Sequence, residues 1–308
     1  KDLIDQINKL SKIYGHNGIF EFYIAGNRQI VITKAEYVKK FLVPSSKDCK
    51  IYWKRFPKVE VFEELGIHQM GLSFNENFNN WKFYRQIYMH QIEEISNSNE
   101  TSKLLNKLFE ELSNYWIDLK KNNYNSGIID IPAWTKRFAN DFTFLLLTGK
   151  RPFAINHYYR KLKNEKITKK MMDSEHYIEC LTYFLVNIQI AFTPKFLRLL
   201  IRNRVDKFLN ARNFLFEKIL ESVKERRKEI EEIGSSNCFD AKQLKDDPLT
   251  SFIIANTPYE SGSQKSVYSS LVRPMNDDEI GSILYDALTG STDSMRSTQF
   301  SKMIQPDK

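Results

Sequence analysis

From Asn79 to the end of the chain, apolar residues return at helical spacing in one segment after another, and this pattern constrains the fold more than any other feature. The predicted helices span Asn79 to Ile92, Asn99 to Lys121, Pro132 to Leu147, Thr168 to Ala191, Arg202 to Ile233, Pro248 to Ala255, and Asn276 to about Met303. Strand patterning is confined to the beginning. There a helix from Asp2 to Tyr14 precedes two β-rich runs, Ile19 to Ala25 and Gln29 to Thr33, around a Gly26-Asn27 turn. Thr33 and Glu36 then have the spacing of a capping box opening a short helix to Leu42. The expected fold class is mainly α with a small N-terminal β-sheet, in one domain over residues 1–308.

Composition narrows the function classes. A hydrophobic content of 42% supplies a large core, so the chain is globular rather than a disordered tail. Lys and Arg outnumber Asp and Glu by 46 to 38, a net charge of +8, which favours acidic or anionic partners without choosing among them. The most basic stretch, Ser222 to Glu232, mixes both signs at i,i+4 spacing and reads as a solvated helix end, and no motif points to nucleic acid. Cys49, Cys180 and Cys238 are dispersed and odd in number, as in a reducing compartment. The five histidines have no metal-ligand spacing, and Thr148-Gly149-Lys150 lacks the upstream glycine of a phosphate loop. No run reaches the roughly 20 apolar residues of a membrane span. The chain starts at Lys1 without an initiator Met, so an N-terminal anchor outside it is compatible with the sequence.

Two segments carry chemistry. The last helix opens with Asn276-x-x-Glu279, and Ile280, Ile283, Leu284, Ala287 and Leu288 trace one apolar face. That stripe then changes character: residues 286 to 297 read DALTGSTDSMRS. Glycine costs a helix interior up to about 1 kcal/mol, and Ser, Thr and Asp offer competing hydrogen bonds, so local weakening or bending is expected here. One reading is a helix leaving the core; the other is a backbone kept bare for a bulky ligand. In NNWKFYRQI, Trp81 and Arg85 stand at i,i+4, where they form either a cation–π pair or a clamp for one anionic group.

Taken in order, these pieces resemble the cytochrome P-450 superfamily of haem-thiolate monooxygenases over nearly the whole chain. KLSKIYGHNGIFEFYIAGNRQIVITKAEYVKKFL is similar to that family's first helix, first hairpin and following helix. GLSFNENFNNWKFYRQ resembles the approach to its Trp-x-x-x-Arg helix, and NDFTFLLLTGKRPF the end of a later one. NDDEIGSILYDALTGSTDSMRST resembles the oxygen-binding helix, whose pattern is Ala/Gly-Gly-x-Asp/Glu-Thr-Thr/Ser. Residue by residue, Gly290 takes the first small position, Ser291 stands in place of glycine, Asp293 is the acid, and Ser294 occupies the place of the threonine. Met295 replaces the final hydroxyl residue.

The resemblance implies a haem cofactor with Trp81 and Arg85 on a propionate, Gly290 and Ser291 against the macrocycle, and Asp293 and Ser294 as a proton-relaying acid–alcohol pair. It further implies a hydrophobic small-molecule substrate, an NADPH-dependent reductase as partner, and a place on the cytosolic face of the endoplasmic reticulum membrane. The pocket is expected between the irregular stretch before Leu72 and the helices near Phe184 to Phe196. Neither the family's Glu-x-x-Arg pair nor its Phe-x-x-Gly-x-Arg-x-Cys-x-Gly ligand loop occurs in these residues, so no metal ligand is assigned. The expectation is a piece of a monooxygenase that is inactive alone and exposes the apolar face of its last helix. The alternative is a non-catalytic helical binding module.

Overall fold

The computed structural model describes residues 3–24, 27–43, 63–64, 70–96, 98–122, 124, 129–234, 244, 247–258 and 273–304, in two compact units, 1–57 and 58–308. In the first unit, α1 (Leu3–Tyr14) leads into an antiparallel hairpin, β1 (Ile19–Ile24) and β2 (Asn27–Ile32), followed by α2 (Ala35–Leu42). The register pairs Ile24 with Asn27, so Asn27 opens the second strand instead of lying in the turn. Phe20 is buried and stacks on Phe22 at 6.2 Å. The Thr33–Glu36 capping box does not form: Lys34 is the residue preceding α2, in extended backbone and without a side-chain cap.

The second unit carries the helices foreseen, with boundaries shifted by a few residues. They are α3 (Phe78–Ser96), α4 (Asn99–Lys121), α5 (Ile131–Thr148), α6 (Ala154–Leu162), α7 (Lys169–Val186), the four-residue α8 (Lys195–Arg198), α9 (Arg202–Gly234), α10 (Pro248–Ile254) and α11 (Asp277–Ile304). Several begin where a side-chain oxygen accepts from a free amide of the first turn. Asn77 Oδ1 takes the N–H of Asn79 and Asn80, Ser98 Oγ that of Glu100, and Asp130 Oδ1 that of Ala133. The expected long helix to Ala191 ends at Val186 and gives way to a 3₁₀ turn, Ile188–Phe192. Two helices went unforeseen, α6 and the short α8. The N-terminus of α6 is capped from within α5: Asp141 accepts from the amides of Ala154 at 2.7 Å and Ile155 at 3.3 Å.

The central layer is α11 packed against α5 and α9, with α7 packed on α9 and also touching α11 and α5. Ile280, Ile283 and Leu284 are fully buried and Leu288 is nearly so, among Leu147, Phe208, Leu215 and Ile219. Each such side chain contributes about 1.5–3 kcal/mol on leaving water. This corrects the expectation of an exposed apolar face: α5 and α9 of this same chain cover the stripe as far as its side chains are described, through Thr292. A smaller core, Leu108, Leu112, Trp134, Phe138 and Ile155, joins α4, α5 and α6.

A second correction concerns Ser222 to Glu232. Val223, Arg226 and Ile230 are buried, and Arg226 is only 1% exposed. Its guanidinium donates to Asp247 Oδ2 and Thr250 Oγ1, both at 2.6 Å, and to the Thr148 carbonyl at 3.0 Å, tying α9 to α5 and α10. The solvated face is only part of that stretch.

Candidate functional site

The site is built along α11. Its start is the reciprocal cap read from the sequence: Asn276 Oδ1 accepts from Glu279 N, and Glu279 Oε2 accepts from Asn276 N, both at 2.9 Å. Glu279 also takes two hydrogen bonds from Arg273, at 2.6 and 2.8 Å, and one from the Tyr84 hydroxyl on α3 at 2.6 Å. Burial pushes the Glu279 carboxyl up, but these donors outweigh it and hold the group below the usual carboxylate range. Burial, reinforced by the Glu279 charge, raises the Tyr84 hydroxyl well above its ordinary value.

Two turns further on, Asp286 fixes the loop that precedes α3. Its Oδ2 accepts from the amides of Leu72 at 2.6 Å and Ser73 at 2.8 Å. Gly71, at φ +67°, makes this approach possible, since a Cβ there would overlap Asp286 Oδ2. The loop is held from its other side by Trp81, whose indole N–H donates to the Leu72 carbonyl at 3.1 Å. Trp81 is buried, Arg85 is exposed, and the Arg85 guanidinium lies 5.3 Å from the Trp81 ring centroid. The spacing therefore yields the cation–π pair. The indole N–H is directed into the protein, while Arg85 has no hydrogen-bond or ion-pair partner among the described residues.

A cleft of about 280 Å³ opens where the loop, α7 and α11 meet, with Phe74, Phe184, Ile188, Tyr285, Thr289 and Gly290 on its walls. The region from Phe184 thus contributes as expected from the sequence, whereas the loop residues on the cleft, Ser73 and Phe74, follow Leu72 instead of preceding it. Gly290 is the bare spot: a Cβ added there would meet nothing within 4 Å. The polar run does not break α11, which continues to Ile304. Thr289 and Thr292 donate to the Tyr285 and Leu288 carbonyls at 2.7 and 2.8 Å, so their buried hydroxyls are satisfied within the helix without breaking it. Ser291 is half-buried, 3.3 Å from the Thr143 hydroxyl on α5. The side chains of Asp293 and Ser294 lie outside the described residues. Of the cysteines, Cys180 is a buried free thiol on α7, and Cys49 and Cys238 are likewise outside the described residues.

Sequence reasoning passed over three residues that shape this site. Asp286 anchors the loop; Tyr285 walls the cleft, and its hydroxyl finds no partner among the described residues; Arg212 on α9 stands behind Tyr285. The signal for Asp286 was present, as a charge set within an otherwise apolar run from Ile283 to Leu288.

The model of the cytochrome P450 family matches residues 1–301. The chain belongs to that family. A solved cytochrome P450, CYP102L1, superposes with a TM-score of 0.56 at 16% identity, over 97% of this chain and 58% of that one. The likeness shows the P450 fold, and the chain spans little more than half the length of that relative. No curated protein matches the chain.

P450 proteins carry haem, and the residues present fit that group in part. An open glycine on a buried helix, beside an apolar cleft, fits a flat macrocycle. Arg85, exposed and without a carboxylate partner among the described residues, fits a propionate; the Trp81 N–H, engaged by Leu72, does not present itself to one. No cluster of His, Cys, Asp or Glu able to hold a metal ion occurs among the described residues.

Proposed function

We propose that the chain forms the N-terminal part of a haem-dependent monooxygenase, both compact units belonging to one P450-type domain, and that it acts on a hydrophobic small molecule. The observation that carries this reading is the open space at Gly290, on a helix whose neighbouring residues are otherwise packed. When bound, haem supplies the oxygen-activating redox chemistry. Gly290 lets the backbone approach a planar group closely, and Phe74, Phe184 and Ile188 exclude water from the substrate side. Arg85 balances the charge of a propionate. Asp293 and Ser294, on the next turn of α11, hold and pass protons at the Ser294 Oγ.

Electrons come from an NADPH-dependent reductase, and the net charge of +8 favours an acidic docking face on it. The protein sits on the cytosolic side of the endoplasmic reticulum membrane. Support comes from Phe196, Leu197, Leu199 and Leu200, all exposed, beside Lys195 and Arg202, a combination suited to an anionic lipid surface. No helix among the described residues is long and apolar enough to cross a membrane.

Titration of the purified chain with hemin, followed by the haem absorption band and tryptophan quenching, tests the reading. Saturable one-to-one binding, weakened in Gly290→Leu and Arg85→Ala but not in Arg202→Ala, is expected. Absence of saturable binding, or a Gly290→Leu protein that binds as well as the parent, would favour the non-catalytic binding module instead.

A further inference from the structure

Arg85 is exposed and carries a long side chain with much rotamer freedom to lose, so its direction toward an anion has to come from what it leans on. That support is the ring of Trp81, 5.3 Å from the guanidinium. A ring steers a cation only while its own direction is fixed. Trp81 is 2% exposed, is tilted against Phe78 at 6.1 Å, and donates its indole N–H to the Leu72 carbonyl at 3.1 Å. Leu72 lies outside any helix or strand, so no regular ladder holds that carbonyl in place. Asp286 on α11 does so instead, with Oδ2 accepting from Leu72 N at 2.6 Å and Ser73 N at 2.8 Å. The Ser73 N–H and the Leu72 carbonyl belong to one planar trans peptide, so an amide held on Asp286 aims the carbonyl the opposite way, at the Trp81 indole. The path from Asp286 to Arg85 therefore runs through one peptide plane, one indole ring and one cation–π contact. α3 itself is fastened to α11 separately, by the Tyr84 hydroxyl on Glu279 at 2.6 Å, so this path sets the direction of side chains, not the place of the helix. Arg85 has no ion-pair partner among the described residues, Asp286 included.

We propose that Asp286 is a positioning residue for the anion contact of Arg85: through the Leu72–Ser73 peptide and the Trp81 ring it presets the guanidinium for a haem propionate. This rests on the reading of Arg85 as the propionate partner and adds the residue that governs it. The sign of the effect separates it from simple electrostatics. Removing a carboxylate strengthens anion binding by charge alone, whereas loss of positioning weakens it.

The test is titration of the purified chain with hemin and, separately, with hemin dimethyl ester, whose propionates are uncharged, followed by the haem absorption band. A charge-assisted contact corresponds to a preference of the parent for hemin of about tenfold. Asp286→Ala is expected to lower that preference by about threefold or more, and Asp286→Asn by less, since its side-chain oxygen still accepts from an amide. Gly71→Ala, whose methyl displaces the carboxylate but leaves its charge, is expected to lower it as well. Trp81→Phe breaks the path at the indole, so Asp286→Ala added to it changes nothing further. Arg226→Met, which weakens the fold from α9 without touching this path, is expected to keep the parental preference. A preference that rises in Asp286→Ala overturns the proposal, because charge then outweighs position. An equal fall in Arg226→Met overturns it by marking the loss as one of general stability, and an undiminished effect of Asp286→Ala in the Trp81→Phe background does so by showing that the indole carries nothing. If the parent binds both porphyrins equally, the propionate reading of Arg85 falls and this inference with it; a parental preference untouched by the Asp286 variants sinks this inference alone.

Discussion

Asp286 and Gly71 are expected to behave as one unit. Asp286→Ala removes the carboxylate that accepts from Leu72 N at 2.6 Å and Ser73 N at 2.8 Å. Hydrogen bonds to a charged acceptor are worth about 1.5–3 kcal/mol each, and at the low end for a partly buried pair the loss is about 3 kcal/mol. Gly71→Ala places a methyl group in left-handed backbone, costing about 1 kcal/mol, and drives that methyl into Asp286 Oδ2. The displaced carboxylate forfeits most of the same 3 kcal/mol, so this substitution alone costs about 4 kcal/mol. With the carboxylate already gone, only the backbone strain and a tight 3.0 Å approach to the Ser282 carbonyl remain. The double variant therefore loses about 4 kcal/mol instead of the roughly 7 of independent sites, a coupling of about 3 kcal/mol. Urea unfolding of the four proteins, followed by far-ultraviolet circular dichroism, measures it. Additive losses would refute the reasoning, for they would mean that Gly71 is needed for something other than the approach of Asp286.

Three further outcomes follow from the packing. Arg226→Met is expected to cost about 3 kcal/mol, since it strips a buried cation from Asp247, whereas Lys228→Met, four-fifths exposed, stays within about 0.5 kcal/mol; parallel urea curves decide. Gly290→Ala is expected to stabilise the fold by about 0.5–1 kcal/mol, because alanine favours the helix and its methyl meets open space; a loss of melting temperature would show that the space is occupied. Glu279, held below the ordinary carboxyl value of 4.5, binds fewer protons folded than unfolded, so its stabilisation is complete above that value and is lost as pH falls through the lower folded pKa. Glu279→Gln should flatten the acid limb of a melting-temperature profile; an unchanged limb would place the acid sensitivity elsewhere.

What was legible in the sequence was local. The Asn276–Glu279 cap lies within one helical turn, so its residues announce it. The same pattern at Thr33 and Glu36 fails because Lys34 takes the capping position. The start of α6 was illegible, since its amides are capped by Asp141, thirteen residues upstream on another helix, while Phe153 before it sits in left-handed backbone at φ 67°. Arg226 had the sequence neighbours of a surface residue, and only residues 148, 247 and 250, brought in by folding, give it a buried role. At the site, i,i+4 spacing was enough to pair Trp81 with Arg85, but not to direct the indole N–H, whose acceptor lies in an irregular loop with no periodicity to read. Neither the bareness of Gly290 nor the want of an ion-pair partner for Arg212 among the described residues could be read from the sequence, because both are properties of the packed structure: at Gly281, on the same helix, an added Cβ would meet Leu220 at 2.8 Å.

A helix that shows a glycine to open space has less packing to hold it there, and α11 makes up the difference with polar anchors placed before the gap. Glu279 joins its first turn to α3 and Arg273, and Asp286 ties its middle to the 71–73 loop. The apolar stripe from Ile280 to Leu288 fixes the opposite side against α5 and α9. Position 290 can therefore carry the roughly 1 kcal/mol penalty of an interior glycine without local melting. The same reasoning explains why an unpaired Arg212 is tolerable on α9: stability is supplied by Arg226 and the surrounding core, which leaves two defects, one steric and one electrostatic, beside cavities that share the walls Phe74, Tyr285 and Asp286. Sites of local instability next to a cleft are where a ligand gains most by binding, since it supplies the contacts that the fold has left unmade.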